Sequence, residues 1–240
     1  TYRLQSSESP RVAPRLGLLL AESLPGVERA VRVFHKSWPL ISHEETRLYQ
    51  QVTFADDGFF EIFDIPLLRG DPATALSRSN AMVISTAAAQ VYFGNEDPLG
   101  KILRWDQSHE YEITGVFEMP ANTHFAFGFL ASMSTMETDK AFEPDDIHLS
   151  EWGALRMTTY LLLSPQADLQ RVATRALQVI TEDGGLEAWR SVEPSGQAPT
   201  LLPVQDIHLK SEFRDDFEAG GNLAHIRLTA AIGIVILLIG

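Results

Sequence analysis

The sequence predicts an α+β fold. Segments of helical period and segments of strand period alternate, but irregularly and without the repeated strand–helix–strand unit of a doubly wound sheet. Turn signals such as Pro25-Gly26 cut the apolar segments into short pieces. A chain of 240 residues with 45% hydrophobic and 21% charged residues can bury a sizeable core in one or two domains and is not disordered by composition.

The elements follow in order. Val12, Leu16, Leu19 and Leu20 recur at helical spacing, and Pro25-Gly26 ends that helix. Residues 27–34 read as a strand. Residues 48–54 read as another, with Leu48, Gln50, Val52 and Phe54 on one side. A short helix over 57–63 presents Phe59, Phe60 and Phe63, which burial by default assigns to the core. Asp71-Pro72 is a cap followed by a first-turn proline, opening a helix to about residue 76. Residues 82–84 form a strand, and Ser85 caps a helix over 87–92 that ends at Gly94. Strands at 102–105 and 111–117 make a hairpin. Residues 125–131 form a strand leading into a helix near 132–138. Residues 140–151 are an acidic loop and 158–163 a strand. Leu169, Val172, Ala173, Ala176, Leu177 and Ile180 form a clean helical stripe. Residues 183–199 read as loop and 201–204 as a short strand. A polar linker, 212–222, leads to an apolar tail.

The loop YFGNEDPLGK superficially resembles a nucleotide site. A phosphate loop needs four residues between its glycines, a hydroxyl after its lysine, and a strand before it and a helix after it. Here five residues separate Gly94 from Gly100, Ile102 follows Lys101, Glu96 and Asp97 would repel phosphate, and the element order is reversed. The loop turns a helix into a strand, with Pro98 restricting the turn and Gly100 supplying a positive φ.

Other chemistry is equally thin. The formal charge of −13, from 32 acidic and 19 basic residues, argues against a nucleic-acid surface. No cysteine is present, which excludes disulfides and thiol catalysis. The seven histidines show no H-x-x-x-H pair. Glu143, Asp145, Asp146 and His148 lack the spacing and glycine of a calcium loop and read as a solvated acidic loop. A G-x-S-x-G elbow is absent. The sequence therefore predicts no catalytic, cofactor-binding or metal-binding residue, and no enzyme. Residues 1–14 contain no apolar run of the signal-peptide kind. From Leu228 the tail LTAAIGIVILLIG carries no charge; its length, roughly 20 Å as a helix, is short of the ~30 Å of a bilayer. It reads as the start of a transmembrane helix, with His225, Arg227 and Leu228 at membrane entry, or alternatively as a buried core helix.

The runs FFEIFDIPLLRGDPATAL, MVIS, AAAQVYFGNEDPLGK and ITGVFEMPANTHF, in this order and spacing, resemble the extracytoplasmic core domain of MacB/FtsX-type ABC transporter permeases. PGVERAVR resembles the family's first helix–strand unit, and VQDIHLKS the approach to the second transmembrane helix. Phe59, Phe60, Gly70, Asp71, Phe93, Gly94, Pro98 and Gly100 are the structural motif residues of the match. The resemblance implies two lobes: a split porter-like lobe over 1–57 and 121–224, and an inserted sabre-like mixed α/β lobe over 58–120, with 225–240 starting a truncated transmembrane helix. It implies a domain on the periplasmic side of a bacterial inner membrane. That domain would couple membrane-helix motion, driven by a cytoplasmic ATPase subunit or domain, to export or to an extracytoplasmic partner. A permease dimer, an adaptor, and a substrate protein or peptide are further implied partners; nucleic acid and cofactors are not. The competing expectation is a secreted or membrane-anchored binding or enzymatic domain unrelated to transport.

Overall fold

The computed structural model describes residues 1–207 except 8, 36–37, 122, 139–151 and 153–156. The chain opens with β1 (Tyr2–Gln5), α1 (Pro14–Ser23) and β2 (Val27–His35). It continues through β3 (Leu40–His43), β4 (Thr46–Tyr49), β5 (Val52–Ala55), α2 (Phe59–Ile62) and β6 (Leu67–Arg69). Next come β7 (Ala81–Ser85), α3 (Thr86–Phe93), β8 (Ile102–Trp105), β9 (His109–Phe117), β10 (Phe129–Ser132) and α4 (Met133–Thr138). β11 (Thr158–Leu163), α5 (Leu169–Glu182), α6 (Leu186–Val192), β12 (Thr200–Pro203) and a 3-10 turn, Val204–Asp206, complete it.

All strands join one mixed sheet of 12 strands, in the order β12-β1-β11-β2-β5-β10-β7-β9-β8-β3-β4, with β6 also on β9. The fold is α+β, as the irregular alternation predicts. Pairs β5–β10 and β7–β9 are parallel; the other strand pairs are antiparallel. The sheet buries both faces. Along β2, Val31 and Val33 enter one apolar cluster, while Ala30 and Phe34, on the opposite face, meet two others. On that opposite face, α1, α5 and α6 cover the β12-β1-β11-β2 end with Leu16, Leu20, Val172, Ala176 and Trp189. Helix α3 covers the far end, with Tyr92 and Phe93 against Met82, Leu103 and Trp105.

Several expectations change. The strand over 48–54 is two strands, because β4 pairs with β3 at the sheet's edge while β5 pairs with β2 and β10 near its middle. The helix from Asp71 is a single turn: the Asp71 carbonyl accepts from Thr74 and Ala75, and the polar Ser77-Arg78-Ser79 that follows offers no face to bury. The strand expected over 125–131 is confined to Phe129–Ser132, since Phe125 and Phe127 both turn into the core. The loop over 183–199 contains α6, anchored by buried Trp189. β1, β3 and β6 are strands that the local pattern did not reveal. Strands within residues 58–120 also hydrogen-bond to strands outside them, β7 to β10 and β8 to β3. The reason lies in β7, where Ala81, Met82, Val83 and Ile84 are all fully buried and need a strand on each side. The acidic loop, the polar linker, and His225, Arg227 and Leu228 lie outside the described residues. Among the described residues, no helix is long and apolar enough to cross a membrane.

Candidate functional site

The predicted motif residues separate into two groups. Phe59 and Phe60 are buried side by side in an aromatic cluster, their rings 5.3 Å apart and edge-on. The other six gather around β9. Gly70, at φ +91, lies against the backbone of Thr114 and Gly115, where any Cβ would collide with the Thr114 carbonyl. Asp71 holds the next turn, its carboxylate accepting from the Ala73 N–H at 3.1 Å and the Thr74 hydroxyl at 3.2 Å. Phe93 is buried, with the His43 ring 4.5 Å away and Lys101 Nζ 5.4 Å above it. Gly94 ends α3 at φ 60, ψ −120. The buried Pro98 offers its carbonyl to Lys101 N–H at 3.0 Å, and Gly100 N–H donates to Ile113 at 2.8 Å. Lys101 pairs with Glu96 and is thereby occupied within the turn. These residues shape backbone; they converge on no reactive group. Among the described residues, no group of three or more His, Asp and Glu could hold a metal ion.

A different constellation gathers where the two ends of the described chain meet. β1 and β12 lie antiparallel, with Tyr2 opposite Pro203. The Val204 N–H donates to the Thr1 carbonyl at 3.1 Å, and the Thr1 hydroxyl donates to the Ile62 carbonyl at 3.0 Å. Ile207, 3% exposed, enters the same apolar cluster as Phe59, Phe60 and Phe63. Phe63 sits at the hub, edge-on to Phe125 at 4.8 Å and to Tyr160 at 4.9 Å. Such edge-to-face pairs contribute about 0.5–1.5 kcal/mol each beyond area burial. His124 lies against Phe125, and its Nε2 shares a 2.8 Å hydrogen bond with the Tyr160 hydroxyl. A cavity of about 300 Å3 opens beside them, lined by Phe63, Asp64, Ile65, His124, Val204 and Gln205 among others. Sequence reasoning identified Phe59, Phe60 and Phe63 as core but missed His124 with Tyr160, because a separation of 36 positions leaves no local signal.

The second feature that sequence reasoning missed is Arg32. It lies on β2 between Ala30 and Phe34, at the seam between the two helix-covered ends, and is 3% exposed. Asp56 takes hydrogen bonds from its Nε at 2.9 Å, its Nη2 at 2.7 Å and its backbone N–H at 2.7 Å. Glu137, at the end of α4, takes another from Nη2 at 2.9 Å. Burial pulls the Arg32 pKa down, but the hydrogen bonds and charge of Asp56, then of Glu137, more than reverse this, and it ends above the ordinary arginine value. The group is a fixed cation that ties β2, the end of β5 and α4 together.

This geometry has known counterparts. Residues 1–179 match the family model described as the MacB-like periplasmic core domain. Among solved structures, one described as a domain of a permease protein from Porphyromonas gingivalis superposes with a TM-score of 0.66 at 22% identity, over 84% of this chain and 88% of that one. The extracellular domain of the noncanonic ABC-type transporter YknZ from Gram-positive bacteria gives 0.58 at 15% identity, over 84% and 99%. The periplasmic region of MacB from Actinobacillus actinomycetemcomitans gives 0.57 at 11%, over 86% and 89%. No curated protein matches the chain. The motif runs from Leu16 to Phe125 fall inside the matched residues, and the chain belongs to the MacB-like periplasmic core domain family.

Proposed function

We propose that this chain is the extracytoplasmic domain of an ABC transporter permease, set between two membrane helices on the outer side of a bacterial inner membrane. In this reading a cytoplasmic ATPase moves the helices, and the domain relays that motion to an exported substrate or an extracytoplasmic partner. The observation that carries it is the family match over residues 1–179, and the relay runs through one buried cluster, with Thr1 on the Ile62 carbonyl and Ile207 among the phenylalanines. A close-packed interior then passes a displacement on rather than absorbing it. Family membership and the three structural likenesses support the same reading.

The two helix-covered ends of the sheet serve as the lobes. The α1–α5–α6 end corresponds to the split porter-like lobe. The α3 end corresponds to the inserted sabre-like lobe, with residues 58–120 as its body and β3–β4 added to it. The motif residues Gly70, Asp71, Phe93, Gly94, Pro98 and Gly100 maintain the shape of that lobe, and Phe59 and Phe60 its junction with the segments bearing Thr1 and Ile207.

The test uses the absence of cysteine. Val91 on α3 is 53% exposed. In the full-length permease with Val91→Cys as its only cysteine, a membrane-impermeant maleimide should label intact cells whose outer layer has been permeabilised. Labelling only after the inner membrane is lysed would contradict the proposal.

A further inference from the structure

The sheet ends at β4, and among the described residues no strand lies on its outer side. The Gln50 N–H donates inward to the Pro39 carbonyl at 3.0 Å, so Tyr49 and Arg47, one and three residues earlier in the alternation, point their backbone N–H and C=O groups outward. The side chains here are also unusual for an edge. Tyr49 is 69% exposed, Trp38 64% and Leu48 42%. Edges are ordinarily blunted by short length, charge, proline or a bulge; β4 is four residues long with one charge, Arg47, and has neither proline nor bulge in its straight register from Leu40↔Tyr49 to His43↔Thr46.

We propose that β4 pairs antiparallel with β4 of a second copy of this chain, about a two-fold axis at Leu48. The sequence selects this register. Only odd-numbered residues present outward hydrogen-bonding groups, so the candidate centres place Arg47 opposite Arg47, Arg47 opposite Tyr49, or Tyr49 opposite Tyr49. The first apposes like charges, which costs stability. The last leaves Arg47 opposite Gln51. The middle register sets each Arg47 guanidinium beside the partner's Tyr49 ring, twice over, a pairing of cation and aromatic face. On the other face it brings Leu48 against the partner's Leu48. Leu48 pairs with the fully buried Ile41, so it forms the exposed rim of the apolar cluster beneath α3, and the pairing would close that rim. Thr46 meets Gln50 and Glu45 meets Gln51, with no like charges opposed. The contact is independent of the transport reading, since it rests on β4 alone.

The register makes the test specific. Leu48 and its counterpart form a non-hydrogen-bonded pair, with Cα atoms about 4.5 Å apart, within disulfide reach. Thr46 and its counterpart are offset by four residues, ~13 Å along the strand. In the full chain in detergent, mild oxidation should convert Leu48→Cys to a covalent dimer while Thr46→Cys and Gln50→Cys remain monomeric. Absence of a Leu48→Cys dimer, equal cross-linking at all three sites, or stronger cross-linking of Arg47→Cys or Tyr49→Cys would overturn the proposal. Tyr49→Pro provides a readout without any substitution at Leu48. Its lost N–H points away from β3, so the β3–β4 ladder is retained while β4–β4 pairing is blocked. The unmodified chain should sediment as a dimer and Tyr49→Pro as a monomer. A monomeric unmodified chain, or a dimer unaffected by Tyr49→Pro, contradicts it.

Discussion

Gly94 shows how one residue carries a motif without any chemistry. Its φ of 60 and ψ of −120 place it outside the left-handed helical region expected for a helix end, in the conformation of the first central position of a type II′ turn. No atom lies within 4 Å of where a Cβ would stand, so the constraint is backbone strain alone. Gly94→Val should cost at least about 1–2 kcal/mol, and thermal melts should show a loss of about 2–8 °C for a domain of this size; an unchanged Tm would contradict it. Arg32 carries the opposite kind of constraint. Removing Asp56 leaves a buried cation short of its main partner, so Asp56→Ala should cost about 3–5 kcal/mol in urea unfolding. Glu137→Ala should cost about 1 kcal/mol or less, because that carboxylate is 45% exposed. Equal losses would mean that the seam is not organised around Asp56. Asp183 gives a pH signature. The hydrogen bond from Arg15, then that from Trp152, holds its carboxyl below the usual range. A depressed carboxylate adds stability above its unfolded pKa, and that contribution fades as pH falls through the folded value. Asp183→Asn should therefore flatten the fall of Tm below about pH 4, and identical acid limbs in the two proteins would count against the pairing.

At the scale of elements, legibility followed locality. The stripe from Leu169 to Ile180 and the cap at Ser85 were readable because helices are built from neighbours; Ser85 accepts from Ala88 N–H at 3.2 Å, as its position implied. The 102–117 hairpin was readable for the same reason. β1 was not, because YRLQ is short and its partners, β11 and β12, lie more than 150 residues away. The break at Gln50-Gln51 was hidden by an alternation that runs unbroken through two strands belonging to different parts of the sheet. The aromatic cluster was half legible: Phe59 and Phe60 declared burial, but nothing local joins them to Thr1 or Ile207. Helix α5 offers a direct check on local reasoning. Asp168 accepts from the N–H groups of Gln170 at 2.9 Å and Arg171 at 3.2 Å. Asp168→Ala should lower stability by about 1 kcal/mol, and an unaffected unfolding midpoint would show that the cap is redundant.

For the described residues, one sheet runs from the edge at β12 to the edge at β4, and the aromatic cluster lies across its middle. In the proposed relay, movement entering beside Thr1 and Ile207 would reach the phenylalanines first, then the strands that bear α3. The direct test is a distance measurement in the full-length permease with its ATPase partner. Spin labels at Gln205→Cys and Val91→Cys, both exposed positions, would span from the β12 edge to the helix at the other end of the sheet. Addition of ATP should shift the distance distribution, and Ile207→Ser should abolish the shift while ATP hydrolysis continues. A distribution that is the same with and without nucleotide, in a permease that hydrolyses ATP normally, would contradict the role of this domain as a relay.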